Sequence, residues 1–371
     1  MLIEKHPYSS VQGQAIAQAL CVGLMAFLGA LGIVLGAPLL KPLPFVVRSG
    51  AAGATLVVSE PVVSGAWPQE IAGIGVPITV TVGARPYGLA FDGSRIWVAN
   101  TMSNTATLIN ATSGLAVGTL STGACPFGAT FDGVRIWISN YCSQTVSVFD
   151  TGSGLAVMTP TVGSLPLNMA SDGTNMWVVN SSSGGTFEYT VNVLDLATGA
   201  HVMTPTVGSG PTDIAFDGEN MWITNHSSNS VSVIRASDGL HVMTPTVGTG
   251  PQSIIYDGTN MWVANGGSGS GNTMSVLRAS DGFHVMTATV SAYPFDVAYD
   301  GERIWVTSLA NNVVDVVSAS TGQVEKSVPV GRDPRGITFD GENMWVSSFA
   351  DDLVMRIPIG RVRIFLSALH R

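Results

Sequence analysis

The stretch FDGSRIWVAN, residues 91–100, decides the fold because the chain repeats it six more times. The copies begin at residues 131, 171, 216, 256, 299 and 339, and every copy keeps the Asp-Gly pair and the Trp. Successive Trp residues are separated by 40, 40, 45, 40, 43 and 40 positions. A repeat of about 40 residues is typical of propellers, solenoids and other arrays.

Each repeat contains four short apolar runs separated by turn residues. In the fourth repeat these runs are TDIAF (212–216), NMWITN (220–225), VSVIR (231–235) and HVMTPTV (241–247). Their length and their content of Val, Ile, Trp and Thr are typical of strands, and Asp-Gly between the first two predicts a tight hairpin. Seven units of four antiparallel strands predict an all-β, seven-bladed β-propeller. An open stack of units is the alternative, but solenoids of this period are largely helical.

The repeat also resembles a known family. W-V-x-N, followed by V-S-V and then T-P-T-V-G, resembles the YVTN-type β-propeller repeat over roughly residues 75–360, with Trp where that family often has Tyr. More loosely, the chain is similar to the streptogramin (virginiamycin B) lyase group, which is also seven-bladed and uses a His/Glu cluster with a divalent metal. The resemblance implies the propeller fold, whereas one fold hosts many functions.

The two ends of the repeat region complement each other. VPITVTVG (76–83) reads as a fourth strand without its own blade, and the last repeat ends at LVMRIPIG (353–360) without a fourth strand. Pairing 77–82 with 353–358 would close the ring and cover an exposed edge. We therefore expect the propeller to occupy residues 75–360, followed by a basic tail at 361–371.

The N-terminal region predicts export. Residues 15–40 contain 26 consecutive uncharged positions, enough to span a bilayer. We expect a hydrophobic helix within residues 1–40, either a membrane anchor or a signal peptide, and a Gly/Pro-rich linker at 41–74. Both alternatives place the propeller outside the cytoplasm, in the periplasm or at the cell surface, with the membrane contacted through 15–40.

Charge and motifs narrow the functional classes. The formal net charge is −9, with 16 basic and 25 acidic residues, and no basic stripe is present, which argues against a nucleic-acid partner. The chain contains no Gly-x-Ser-x-Gly, His-Glu-x-x-His or Cys-x-x-Cys motif. We therefore expect no cofactor and a non-catalytic role.

Two cysteines predict a disulfide. Cys125 and Cys142 flank one hairpin at equal distances from a centre between residues 133 and 134. Cross-strand neighbours approach within the reach of a disulfide, and an exported location permits oxidation. Two buried free thiols are the alternative.

Repetition also points to a binding face. The Gly-x-x-Pro turns and the loops between second and third strands fall on one face, and this face varies while the blade bodies repeat. We expect it to bind a protein or a cell-surface polymer; solvated loops without a partner are the alternative. The predicted binding residues are Arg85, Tyr87, Phe127, Tyr141, Asp213, His226, Phe295, Asp296, Arg335 and Phe349.

An enzyme is the alternative function for the same face. A streptogramin-lyase-like site would use a divalent metal near His226 and Glu188, and a lactonase-like site would use one near Asp213 and Asp296. These two aspartates stand two blades apart in the repeat numbering, and His226 has no second His beside it.

Overall fold

The structure is a computed structural model that describes residues 75–181 and 189–360. Within these ranges the chain forms seven four-stranded antiparallel sheets, and no helix is long and apolar enough to cross a bilayer. The hydrophobic helix predicted in 1–40, the linker at 41–74 and the tail at 361–371 lie outside the described residues. The domain boundaries therefore stay predictions, whereas the all-β, seven-bladed propeller is confirmed.

The two inner strands of each blade are six residues long. The first strands are β2 (Pro86–Phe91), β6 (Pro126–Phe131), β10 (Pro166–Ser171), β14 (Pro211–Phe216), β18 (Pro251–Tyr256), β22 (Pro294–Tyr299) and β26 (Pro334–Phe339). The second strands are β3 (Arg95–Asn100), β7 (Arg135–Asn140), β11 (Asn175–Asn180), β15 (Asn220–Asn225), β19 (Asn260–Asn265), β23 (Arg303–Ser308) and β27 (Asn343–Ser348).

The two outer strands complete each blade. The third strands are β4 (Thr105–Asn110), β8 (Thr145–Asp150), β12 (Thr190–Asp195), β16 (Ser230–Arg235), β20 (Thr273–Arg278), β24 (Val313–Ser318) and β28 (Leu353–Pro358). The outermost strands are β5 (Ala116–Ser121), β9 (Ala156–Met158), β13 (His201–Met203), β17 (His241–Met243), β21 (His284–Thr289), β25 (Val324–Pro329) and, in the seventh blade, β1 (Ile78–Thr81).

The first strands form the inner ring. Each contacts the first strand of the next blade, and β26 contacts β2. In the seventh blade β1 pairs antiparallel with β28, with Ile78 opposite Arg356 and Thr81 opposite Leu353. Val80 is the one buried side chain of β1, and it packs in a core cluster with Trp345 and Val354.

The repeated Trp and Asp form one structural unit in each blade. All seven Trp side chains are fully buried between neighbouring sheets, where large rings fill the space. In the fourth blade Trp222 Nε1 donates a hydrogen bond to Asp217 Oδ2 at 2.7 Å, while Asp217 Oδ1 accepts the N–H groups of Glu219 and Asn220. The same Trp–Asp bond recurs in the other six blades. The aspartates therefore hold the turns, and they also satisfy the buried indole N–H groups.

Candidate functional site

The two loop types predicted to share a face are hydrogen-bonded to each other. The residue after each second strand donates its N–H to the carbonyl oxygen of the residue before the blade's proline. Examples are Tyr141 to Cys125 at 3.0 Å and Phe349 to Asp333 at 3.1 Å. We refer to this surface as the loop face. It carries the starts of all seven first strands and therefore surrounds the mouth of the central channel.

A bulge interrupts each first strand, and in four blades two consecutive residues after the proline line the central cavity. The register shifts after the proline in all seven blades, as between Pro211 and Ile214. Successive residues of a regular strand point to opposite faces, and a bulge re-aims one of them. Accordingly Phe295 and Asp296 both line the same central cavity.

The residue two positions after each proline forms a ring of seven that divides into two arcs. Gly336, Gly88 and Gly128 form a glycine arc, and Asn168, Asp213, Ser253 and Asp296 form a polar arc. A Cβ atom at Gly336 would lie 2.2 Å from the Tyr87 carbonyl oxygen, and one at Gly88 would lie 2.4 Å from that of Phe127. Close backbone approach therefore excludes side chains from the glycine arc and leaves the polar arc as the chemically variable half of the ring.

Aromatic rings stand on the loop face beside the glycine arc. The ring of Tyr87 lies with its centroid 3.9 Å from Phe127, 5.9 Å from Phe295 and 6.0 Å from Phe349. Phe127 in turn stacks on Tyr141 at 5.9 Å. These five residues, which we call the aromatic cluster, were each predicted to bind a partner, and the structure brings them together.

Two arginines pack on this cluster. The Arg335 guanidinium lies 4.8 Å from the Phe295 centroid, 5.1 Å from Phe349 and 5.6 Å from Tyr87, all within cation–π range. It also forms an ion pair with Asp333, with 3.0 Å between Nε and Oδ1. Arg85 is exposed and lies 4.9 Å from the Phe349 centroid. Arg335 is therefore held inside the surface, whereas Arg85 stands at its rim.

The predicted disulfide is present and holds one edge of the cluster. Cys125 and Cys142 are bonded, with 5.3 Å between their Cα atoms. Cys125 precedes Pro126 and Cys142 follows Tyr141, so the bond joins a Gly-x-x-Pro turn to the loop that carries the Tyr141 ring.

On the polar arc, one serine bridges two carboxyl groups, that of Asp213, which is buried, and that of Asp296, which is half-buried. Ser253 Oγ lies 2.6 Å from Asp213 Oδ2 and 2.9 Å from Asp296 Oδ1. The sequence placed these aspartates two blades apart, but Ser253, on the blade between them, connects them directly. The Ile254 N–H also donates to Asp213, at 2.9 Å, and the Ile337 N–H donates to Asp296, at 3.0 Å. Each carboxyl group therefore also links its own first strand to the next one.

The surroundings of Asp213 and Asp296 favour the protonated form of a carboxyl group. Burial raises the pKa of Asp213 above its ordinary value. Burial and the charge of Asp213 together raise the pKa of Asp296 to about 7. A serine hydroxyl carries a single proton and can donate to one carboxylate only. With the second carboxyl protonated and donating to Ser253, both short distances are hydrogen bonds, and the pair holds one net negative charge.

A cavity of about 160 Å³ opens at the channel mouth between the two arcs. All seven first strands contribute to its lining. The residues that line it are Tyr87, Gly88, Phe127, Leu167, Asn168, Thr212, Gln252, Ser253, Phe295, Asp296 and Gly336. Ser253, Asn168 and Gln252 were not among the predicted residues, although their place two or one positions after the bulge proline marks them as equivalents of Asp213 and Phe295.

Of the two residues proposed for a metal-dependent lyase, His226 and Glu188, the structure describes only His226. His226 is half-buried at the start of the loop after β15, where its N–H donates to the Gly210 carbonyl oxygen at 2.8 Å. Glu188 lies outside the described residues. Within 75–181 and 189–360, no three His, Cys, Asp or Glu side chains come close enough together to hold a metal ion.

Fold and site together define a seven-bladed β-propeller with an aromatic, partly acidic channel mouth. No protein-family model matches the sequence. No curated protein sequence matches it significantly. Among solved structures, the chain is similar to a hydrazine synthase chain from Kuenenia stuttgartiensis, with a TM-score of 0.65 and 18% identity over 74% of this chain and 95% of that one. Because 1363 solved chains match, the likeness supports the fold and selects no function.

Proposed function

We propose that this protein is an extracytoplasmic binding module that captures a protein or a cell-surface polymer on its loop face. The observation that carries the proposal is the aromatic cluster with Arg335 and Arg85. Aromatic residues and Arg are enriched at the energetic centres of interfaces. Here they form one continuous patch on the face where the repeats differ, and the disulfide holds its edge.

The location and the family are part of the same proposal. Structural disulfides persist in oxidising compartments, so the Cys125–Cys142 bond weakly supports a site outside the cytoplasm. The apolar run at 15–40 would supply the anchor or signal peptide, and the repeat motifs support placing the chain near the YVTN-type propellers.

The test compares two double variants that each remove two large side chains. Tyr141→Ala/Phe349→Ala removes rings from the loop face, and Leu240→Ala/Phe283→Ala removes side chains that are 56% and 62% exposed on the outer turns of the blades. Each protein is used to capture partners from solubilised envelope proteins and from purified cell-wall polymer, with chemical crosslinking. We expect the loop-face variant to lose partners that the parent and the outer-turn variant retain. Equal capture by all three proteins would refute the proposal.

The second candidate is an enzyme with a divalent metal on the same face. The observation that favours it is the paired Asp213 and Asp296, since carboxylates are common ligands of divalent cations. Titration of the purified protein with Mg²⁺, Mn²⁺ and Zn²⁺, followed by thermal unfolding, separates the candidates. Stabilisation that Asp213→Asn removes would favour the enzyme over the binding module.

A further inference from the structure

The size of the cavity at the channel mouth and the charge of its lining are not explained by binding of a macromolecule to the loop face. Its volume of about 160 Å³ far exceeds the 10–15 Å³ that admits one water molecule. Of the eleven residues that line it, none is basic, and Asp296 is the one with an ionisable carboxyl group. A small molecule that fits there therefore meets a negative or neutral wall and never a positive one.

One carboxylate of the Asp213–Ser253–Asp296 group has an acceptor position that no donor among the described residues occupies. A carboxylate has about four acceptor positions. Asp296 accepts the N–H groups of Val297 and Ile337, and its Oδ1 also contacts the Ser253 hydroxyl, which leaves one position open. Asp213 does not line the cavity, and its hydrogen bonds come from Ser253, Ile254, Ile214 and Asn168. The open acceptor position therefore belongs to Asp296.

The negative charge of the two carboxyl groups favours a positively charged ligand. When both carboxyl groups of the Asp213–Ser253–Asp296 group are ionised, the group carries two negative charges and only one hydroxyl proton lies between them. Either a proton on one carboxyl group or a bound cation compensates this charge. A cation that reaches Asp296 can replace the shared proton, which then passes to the solvent. Binding of a cation here is therefore coupled to proton release, and the affinity should rise with pH.

The opposite wall suits the rest of such a ligand. Tyr87, Phe127 and Phe295 present ring surface to the cavity, and rings attract cations and cover alkyl groups. The charged or titratable group that acts on Asp296 is Asp213, and those that act on Tyr87 are Arg335, Asp296 and Tyr293. The Arg335 charge is paired with Asp333, and burial raises the pKa of Tyr87, which keeps its phenol neutral.

We propose that this cavity binds a small organic cation, a protonated primary amine, with its ammonium group on Asp296 and its alkyl part against Tyr87, Phe127 and Phe295. Three ammonium donors match the oxygen acceptors of Asp296, Ser253 and Asn168, which a quaternary ammonium would leave unpaired. This site goes beyond the proposed function and does not depend on it, because the amine lies inside the channel mouth and needs no macromolecular partner.

The experiment is isothermal titration calorimetry on the purified protein with ethylammonium chloride as the probe. Ethanol serves as the neutral probe of equal size. Alkylammonium ions stay protonated well above neutral pH, as Lys does, so the pH change acts on the protein. With Asp296 titrating at about 7, affinity should be about thirtyfold weaker near pH 5.5 than near pH 8.5. Near pH 5.5, buffers of different ionisation enthalpy should report release of about one proton per ligand.

Two variants of equal charge provide the matched comparison. Asp296→Asn keeps the shape, and its single amide oxygen can accept from Val297 or from Ile337 but not from both. Glu219→Gln removes a charge in the Asp-Gly turn of the fourth blade, away from the loop face. We expect Asp296→Asn to abolish saturable binding and Glu219→Gln to bind like the parent, with thermal unfolding confirming that both are folded.

The parent protein alone can overturn the proposal. Ethanol binding as well as ethylammonium, affinity independent of pH, or no saturable ethylammonium binding near pH 8.5 would each refute it. Loss of macromolecular capture by Tyr141→Ala/Phe349→Ala with ethylammonium binding intact would leave this inference standing and overturn only the proposed function.

Discussion

Replacing Val80 with Ala tests whether β1 holds the propeller ring closed. Val80 is 8% exposed and packs against Trp345 and Val354 of the last blade and Leu89 of the first. The change removes two methyl groups, worth about 0.8 kcal/mol each by transfer, and leaves a small cavity. We therefore expect the free energy of unfolding to fall by about 2 kcal/mol.

The control is Ile78→Ala in the same strand. Ile78 pairs with Arg356 in the same ladder but is 52% exposed, so its replacement should cost less than about 0.5 kcal/mol. The assay is equilibrium unfolding in guanidinium chloride with a thermal melt, in which about 2 kcal/mol corresponds to several degrees in a chain of this size. Equal midpoints for the two variants, or a chain lacking residues 75–84 that unfolds as sharply and as late as the parent, would refute the closing role of β1.

Three further predictions follow from single contacts. Asp296 has its pKa raised to about 7, so between its ordinary value and 7 the folded state binds more protons than the unfolded state and the parent loses stability as pH rises. The melting temperature of Asp296→Asn minus that of the parent should accordingly grow from pH 5 to pH 8, and a flat difference would contradict this. Cys125→Ala/Cys142→Ala should cost about 3 kcal/mol, as expected for closing a loop of this length, whose ends are 17 residues apart; denaturation of oxidised parent and variant measures it. Asp217→Asn turns an amide toward the Trp222 indole N–H and should cost about 2 kcal/mol in urea unfolding, the usual worth of a hydrogen bond to a charged group.

The blade architecture could be predicted because repetition averages out local ambiguity. A single copy of NMWITN is equally consistent with a buried strand and with part of a helix, but seven copies in register with Asp-Gly turns favour strands in a closed propeller. The Trp222–Asp217 hydrogen bond was missed because packing and turn formation already explained each residue separately. Their fixed spacing of five in all seven copies was the available signal.

The register of the hairpin was predicted only in part. The structure pairs Ala129 with Ile138, as symmetry about the turn requires, but pairs Pro126 with Asn140 after a bulge. The disulfide forms despite this shift because Cys125 and Cys142 lie in the turn and the loop beyond the strands, where their Cα atoms approach to 5.3 Å. Symmetry about the turn does not predict a bulge. The disulfide pairing of the two cysteines was therefore predicted correctly, but the register of the strands near them was not.

Only part of the membership of the candidate site could be predicted, and none of the contacts between its members. The variable positions of the loop face do include the aromatic cluster and both arginines. Ser253 was passed over because a serine after a proline is unremarkable in isolation. The contact of its hydroxyl with both Asp213 and Asp296 depends on how closely three adjacent first strands approach, and that distance is a property of ring closure that no single repeat contains.

In the ring formed by the residues two positions after each proline, the fold requires some residues and permits others. Gly88 and Gly336 are required, since a Cβ atom at either would collide with the carbonyl oxygen of the next blade. On the polar arc the Ser253 side chain is tolerated, so sterics do not dictate an acid at the neighbouring Asp213 and Asp296. A neutral residue could donate or accept there without the cost of withdrawing two ionisable groups from water. Perturbed carboxyl groups beside a cavity are characteristic of functional sites, so the cost borne at Asp213 and Asp296 is best explained by a cation that these residues receive from the loop face.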